Sequence, residues 1–277
     1  ESETEGSVYI PPDSARHVFV SDIDDTVVLT GLLNKTAMLW RLFMYGPKSR
    51  TAFPGVSILY RGLHEGPGGA ENNPILYVSR APWGLYELLE EFFQRHDIPV
   101  GPILFLREWG LSALRPFPRR DESHKLDLIR TMLSLYEDLT FVLVGDSGQE
   151  DPEVYARIVR EYPGRIKAVY IRDVSRNPRR ASAIKQLAEQ VANAGSILVL
   201  AADSFAMGRN AEEHGLLSTK ALSRIREEQE RQGERVERHP GRRVAGGDAM
   251  GTRETVEREL ETKRQPKEDQ LPDMGVE

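Results

Sequence analysis

Short apolar runs alternate with amphipathic stretches over most of the chain, from residue 17 to residue 203. The runs are apolar at nearly every position, which is typical of parallel strands buried on both faces. Between them, apolar residues recur at helical spacing. The pattern predicts strands at residues 17–22, 74–79, 101–108, 139–146, 165–174 and 196–203. It predicts helices at residues 34–46, 83–96, 122–136, 151–162 and 181–194. We therefore expect an α/β fold with a parallel sheet and helices on both of its faces.

The two ends of the chain lack this alternation. Residues 1–15 are polar and interrupted by proline, which predicts a tail or a linker. After Phe205 there are no aromatic residues, and from about residue 219 both signs of charge mix with few apolar positions. Such a segment buries too little apolar surface to offset its ordering entropy. We expect a folded domain at 16–205 and a charged tail at 206–277, largely disordered or helical.

Composition narrows the function classes. The 277 residues include no cysteine, which excludes disulfides, thiolate metal sites and a cysteine nucleophile. The formal net charge of −6 gives no general attraction for nucleic acid, and we expect no such partner. No apolar run reaches the roughly 20 residues of a membrane-spanning helix. Because the sequence begins at Glu1 and not at methionine, we expect residues upstream of it.

Acidic side chains lie at the carboxyl ends of two of the predicted strands, and a hydroxyl lies at the carboxyl end of a third. Asp22 and Asp24 end the first strand, Ser79 ends the second and Asp146 ends the fourth. In a parallel sheet these carboxyl ends meet at one edge. Asp22 and Asp24 are two residues apart and project to the same side, so with Asp146 they form an oxygen site suited to Mg²⁺. Lys125, near the start of a helix, adds an ammonium that can bind an anion. A cation site beside an anion-binding group predicts phosphoryl transfer.

Four short motifs resemble those of the haloacid-dehalogenase-like (HAD) hydrolases, in the same order along the chain. DIDDT resembles the first motif, YVSR the second, HK the third and GDSGQED the fourth. The residues in the motif positions are Asp22, Asp24, Thr26, Ser79, Lys125, Asp146 and Asp151. The resemblance implies a Rossmannoid parallel sheet with a small cap or none.

Within that superfamily, longer segments are similar to the catalytic domain of the actin-patch type of phosphatidate phosphatase, a lipin-related family. These segments are SDIDDTV, FPGV, YVSRAPWGLY, GPILFLREWG and GDSGQEDPEVY. The resemblance implies a Mg²⁺-dependent phosphoric monoester hydrolase with Asp22 as nucleophile and Asp24 as acid and then base. It implies substrate binding by Thr26, Ser79 and Lys125. We expect Arg80 to join them, although this arginine departs from the small or amide side chain expected in the family. The resemblance also implies metal binding by Asp22, Asp24, Asp146 and Asp151.

The expected substrate is a phosphomonoester, with phosphatidate hydrolysed to diacylglycerol and phosphate. Two alternatives stay open: an enzyme acting on a soluble phosphomonoester, and a non-catalytic module that binds phosphatidate. The expected location is the cytoplasm or the periphery of a membrane. Residues 26–64 contain no Asp or Glu but carry five Lys or Arg side chains among aromatic ones. We therefore weigh two interpretations of residues 35–61: a lid that contacts an anionic membrane, or a helix packed on the core.

Overall fold

A computed structural model of the chain describes residues 8–23, 26–27, 52–79, 83–105, 122–175 and 177–238. In these ranges, strands and helices alternate. The strands are β1 (His17–Asp22), β2 (Ile75–Ser79), β3 (Ile103–Phe105), β4 (Thr140–Asp146), β5 (Ile166–Arg172) and β6 (Leu198–Ala201). The helices are α1 (Val56–Glu65), α2 (Tyr86–Arg95), α3 (Glu122–Leu135), α4 (Asp151–Glu161), α5 (Pro178–Asn193), α6 (Ser204–Glu213) and α7 (Thr219–Arg238).

The strands form one parallel sheet in the order β3-β2-β1-β4-β5-β6. β1 lies in the interior of this sheet, with Phe19 opposite Ile75 of β2 and Val142 of β4. Each strand is nearly continuous in apolar residues because both of its faces are covered, as the sequence pattern predicted. The prediction of an α/β HAD-like fold is confirmed. The expectation of a small cap or none stays a prediction, and the helix predicted at 34–46 lies outside the described residues.

Two hydrophobic cores sandwich the sheet. On one face, α1, α2, α6 and α7 pack against side chains that include Phe19, Tyr77 and Tyr170. On the other face, α3, α4 and α5 pack against the alternate strand positions, which include Val20 and Ile171. The two cores pack against both faces of the strands. This packing fixes the positions of the side chains at the carboxyl ends of the strands.

Helix α1 was not among the predicted elements. It begins after Gly55, whose backbone adopts a left-handed conformation with φ of 72°. A side chain there would be strained and would meet the side chain of Ile225 in α7. Val56, Leu59 and Leu63 are buried in the core, so this stretch is a packed helix.

The C-terminal helices α6 and α7 lie in the region predicted to be a tail. Asp203 caps α6 by accepting a hydrogen bond from the Ala206 N–H at 2.8 Å. Met207 of α6 and Ile225 of α7 are buried in the same core as α1. The core therefore extends to Ile225, beyond the boundary expected at residue 205. A few apolar residues on one face suffice here, because α7 packs against both α1 and α6.

Candidate active site

The candidate site lies between β1 and β4, where the direction in which successive strands are added to the sheet reverses. From β1 the chain proceeds outward through β2 to β3, and it then returns to β4 on the other side of β1. Ligand sites of parallel sheets form at such a switch point, outside the carboxyl ends of the strands. Asp22 ends β1 and Asp146 ends β4, and both side chains are fully buried. The structure thus brings together two of the acids that the sequence pattern selected.

Lys125 lies on α3, in the helix layer that also contains α4 and α5, and its side chain reaches this site. Its Nζ lies 2.9 Å from Oδ1 of Asp22 and 2.5 Å from Oδ1 of Asp151. Burial disfavours the charged ammonium, but the carboxylates of Asp151 and Asp22 outweigh it and raise the pKa of Lys125 well above its usual value. Lys125 therefore places a positive charge between two buried carboxylates.

Asp151 is the first residue of α4 and uses both carboxylate oxygens within the protein. Oδ1 pairs with Lys125, and Oδ2 accepts a hydrogen bond from the backbone N–H of Asp146 at 3.3 Å. The close approach requires glycine at position 145, because a Cβ there would overlap the Asp151 carboxylate. Asp151 therefore orients Lys125 and the end of β4. The prediction that it also holds a metal stays a prediction.

Asp146 organises the turn that joins β4 to α4. Its Oδ1 accepts hydrogen bonds from the backbone N–H groups of Gly148, at 2.7 Å, and Gln149, at 3.1 Å. This is the local bonding that lets an aspartate define a turn. The carboxylate is therefore oriented by its own loop, and its Oδ2 accepts a hydrogen bond from the side-chain amide of Gln149.

Two residues of this site were missed at the level of sequence. The side-chain amide of Gln149 donates to Oδ2 of Asp146 at 2.7 Å and to Oδ2 of Asp22 at 3.3 Å. Arg180 of α5 donates to the backbone carbonyls of Ser147, at 2.9 Å, and Gln149, at 2.6 Å. Arg180 is itself held by an ion pair with Glu153 of α4. The guanidinium therefore clamps the loop between Asp146 and Asp151 from outside.

The predicted phosphate-binding residues are placed in part. Ser79 ends β2 beside Asp22 in the sheet and is fully buried. Thr26 is also fully buried, and its hydroxyl has no hydrogen-bond partner among the described residues. A buried hydroxyl without a partner is costly, which is consistent with a ligand group that completes its bonding. Asp24 and Arg80 lie outside the described residues.

A family model for the catalytic domain of phosphatidate phosphatase APP1 matches residues 17–173. This range covers more than half of the chain and contains every residue assigned above to the site except Arg180. The chain belongs to this family. Membership confirms the resemblance that the four motifs indicated, including the HAD-like assignment.

Two curated relatives extend the comparison. Phosphatidate phosphatase APP1 of Saccharomyces cerevisiae is 30% identical over 172 residues, which are 62% of this chain and 28% of the relative. An uncharacterized protein of Schizosaccharomyces pombe is 30% identical over 158 residues, 56% of this chain and 25% of the relative. The alignments thus span only about a quarter of these relatives, so the similarity concerns one region of each.

The donor set of this family member fits a divalent cation. One carboxylate oxygen from each of Asp22, Asp146 and Asp151 lies within 4.8 Å of the others. These three carboxylates outnumber the single ammonium of Lys125, which pairs with Asp22 and Asp151. Hard oxygen ligands with surplus negative charge suit Mg²⁺ or a similar ion. The residues present therefore fit the cation that the resemblance implied.

The interpretation of residues 35–61 as a membrane lid stays a prediction, and two aromatic side chains of its last part pack within the protein. Tyr60 is buried in the core, where burial raises its pKa to about 12. Its hydroxyl is hydrogen-bonded to Ser21 Oγ at 2.6 Å. Phe53 is half-buried beneath the guanidinium of Arg172, at 4.2 Å. These two aromatic side chains contact protein, and the basic residues from Lys35 to Arg50 lie outside the described residues. Among the helices that the structure describes, none has the length and apolar character needed to span a membrane.

Proposed function

We propose that the chain is a Mg²⁺-dependent phosphatase that hydrolyses a phosphomonoester through an aspartyl-phosphate on Asp22. The observation that carries this proposal is the carboxylate of Asp22, fully buried at the switch point and 2.9 Å from the ammonium of Lys125. A buried carboxylate is costly unless its charge has a partner. An aspartate that is held, oriented and charge-compensated in this way is suited to attack phosphorus.

Each remaining residue has a role in this proposal. Lys125 keeps its charge and balances the negative charge on the transferred phosphoryl group. Ser79, Thr26 and Arg80 bind the phosphate oxygens. The hydroxyl of Thr26, which has no partner within the part of the chain that the structure describes, supports its place in this set. Asp24 protonates the leaving oxygen and then activates water for the second step. The roles of Asp24 and Arg80 rest on the motif positions alone.

Asp22, Asp24, Asp146 and Asp151 would hold the cation; the cluster of Asp22, Asp146 and Asp151 supports three of them, and Asp24 rests on its motif position alone. When bound, Mg²⁺ supplies positive charge that stabilises the phosphoryl oxygens and lessens the repulsion between the carboxylates. Asp151 shares its oxygens between Lys125 and the backbone of Asp146, so its main role is to position these two residues.

The proposed substrate is phosphatidate, which would yield diacylglycerol and phosphate. The family description and the name of the Saccharomyces cerevisiae relative support this choice of substrate. The same proposal places the enzyme in the cytoplasm at the periphery of an anionic membrane. Its support is the basic composition of the segment between Lys35 and Arg50.

Phosphate release from a panel of substrates tests the proposal. The panel contains phosphatidate in vesicles, a soluble lipid-like phosphate and small sugar phosphates, each with Mg²⁺ and with a chelator. We expect Mg²⁺-dependent release that is fastest on phosphatidate. The variant Asp22→Asn should lose this activity while its thermal unfolding stays cooperative, because an amide is near-isosteric but cannot form the acyl phosphate.

Each alternative predicts a different result from the same panel. Release from soluble substrates alone would assign the enzyme to a soluble phosphomonoester. Binding of phosphatidate vesicles without any release would indicate a non-catalytic module. Activity of Asp22→Asn within about tenfold of the parent would exclude Asp22 as the nucleophile, since loss of a covalent nucleophile costs far more than one order of magnitude.

A further inference from the structure

The side chain of Gln149 bridges the two carboxylates that end β1 and β4. Its Nε2 lies 2.7 Å from Oδ2 of Asp146 and 3.3 Å from Oδ2 of Asp22, and the residue is only 8% exposed. An amide presents hydrogens on nitrogen and lone pairs on oxygen. Two carboxylates on one side therefore require the nitrogen end to face them, which fixes the orientation of the amide.

This bridge takes one lone pair on each Oδ2 and directs amide hydrogens at two carboxylates of the candidate cation cluster. A Mg²⁺ ion binds carboxylate oxygens at about 2.1 Å and repels the partial positive charge of amide hydrogens. Gln149 and a cation bound to these carboxylates would therefore compete for Oδ2 of Asp22 and Oδ2 of Asp146. The amide hydrogens offset part of the repulsion between the two carboxylates, which a bound cation would otherwise offset.

We propose that Gln149 is a displaceable bridge that holds the carboxylates of Asp22 and Asp146 in the cation-free protein and releases them when a divalent cation binds. This inference rests on the metal site of the proposed function. It makes Gln149 a positioning residue that stabilises the cation-free fold and lowers the affinity for the cation. The release takes away one donor from Oδ2 of Asp22, the proposed nucleophile.

The surrounding contacts confine this change to the side chain. Arg180 holds the carbonyl of Gln149 at 2.6 Å and that of Ser147 at 2.9 Å. The backbone N–H groups of Gly148 and Gln149 donate to Oδ1 of Asp146, the oxygen that the amide does not contact. The loop can therefore keep its backbone conformation and keep Asp146 oriented while the Gln149 side chain rotates.

The test compares Gln149→Met with the parent by calorimetric titration of Mg²⁺ and by thermal unfolding in chelator and in saturating Mg²⁺. Methionine has nearly the same length and no donor, so it removes the bridge without opening a large cavity. In chelator, we expect the variant to melt at a lower temperature than the parent. In saturating Mg²⁺, we expect this difference in melting temperature to be smaller. The dissociation constant for Mg²⁺ should be lower by about fivefold, the equivalent of one net hydrogen bond.

Two further variants make the result decisive. Gln149→Asn keeps the amide but is one methylene shorter, so it should reproduce the tighter Mg²⁺ binding if Gln149→Met does not fold. Gln186→Met makes the same exchange at an exposed position of α5 and should match the parent in both measurements.

The outcomes separate this inference from the cofactor proposal. An Mg²⁺ affinity that is unchanged in Gln149→Met would mean that the bridge does not compete with the cation. A weaker affinity would make Gln149 a support of the cation site, and either result overturns the inference while leaving the cofactor proposal intact. A parent chain that binds no divalent cation overturns both.

Discussion

Replacing Lys125 with methionine should destabilise the fold more than any surface substitution would. The Lys125 side chain is only 3% exposed, and its two partner carboxylates, Asp22 and Asp151, are each 1% exposed. Methionine fills a similar volume but leaves both carboxylates buried without their cation. Removing one partner of a buried ion pair costs about 3–5 kcal/mol. For a folded unit of this size, that loss lowers the melting temperature by about 6–20 °C.

Thermal unfolding in a chelator, followed by circular dichroism, measures this effect without interference from bound cations. Lys185→Met on the exposed face of α5 is the matched control and should unfold within about 2 °C of the parent, as surface substitutions usually do. The combination of Lys125→Met with Asp151→Asn should recover part of the loss, because it removes one of the two orphaned charges.

The pH dependence of the same measurement has a definite sign. The folded-state pKa of Lys125 is raised above the unfolded value of about 10.4. Its stabilisation is therefore fully present below the unfolded value and is lost as the pH rises through the folded value. The deficit of Lys125→Met should stay constant from neutral pH to about pH 10 and shrink only above it. A deficit under about 1 kcal/mol at neutral pH would refute the claim that this ammonium compensates the buried carboxylates.

Three further predictions concern the cation site and the membrane. Arg180→Met should weaken Mg²⁺ binding by about tenfold in a direct titration, because it frees the loop that orients Asp146. The control Arg157→Met removes a surface ion pair on α4 and should leave Mg²⁺ binding unchanged. Asp146→Ala should raise the Mg²⁺ concentration needed for half-maximal phosphate release, and an unchanged requirement would leave Asp146 only its role in the turn. Changing Lys48 and Arg50 to Glu should lower turnover of phosphatidate in vesicles but not of a soluble phosphate, and an unchanged ratio of the two would remove the proposed membrane contact.

The sheet and most of the site were predictable because they depend on features that repeat along the chain. Buried parallel strands are apolar throughout, so their ends are visible in the sequence. The carboxyl ends of such strands share one edge, which brings Asp22 and Asp146 together without any knowledge of side-chain contacts. Lys125 and Asp151 were selected by their motif positions, but their pairing becomes visible only in the folded structure.

The missed features depend on contacts that no local pattern encodes. Arg180 reaches the loop at Ser147 from another helix, 33 positions further along the chain. Gln149 lies in a polar turn, and its amide orientation follows from two carboxylates that converge only after folding. Helix α7 is mostly charged, and its buried Ile225 finds a surface only because α1 and α6 are already in place.

The donors around Asp22 also constrain the order of events in the proposed reaction. Oδ1 is held by the ammonium of Lys125, and Oδ2 faces the amide of Gln149. A carboxylate oxygen that accepts a hydrogen bond is a weaker nucleophile, because the bond stabilises the charge it must share with phosphorus. Lys125 cannot leave, since Asp151 and the buried surroundings keep it in place and charged. The backbone of Gln149 is held by Arg180, and its side-chain amide is neutral, so moving this amide away from the carboxylates is an easier change than moving the buried ammonium. The same rotation would open the cation site and remove a donor from the attacking carboxylate, which would couple metal binding to the readiness of the nucleophile through one amide.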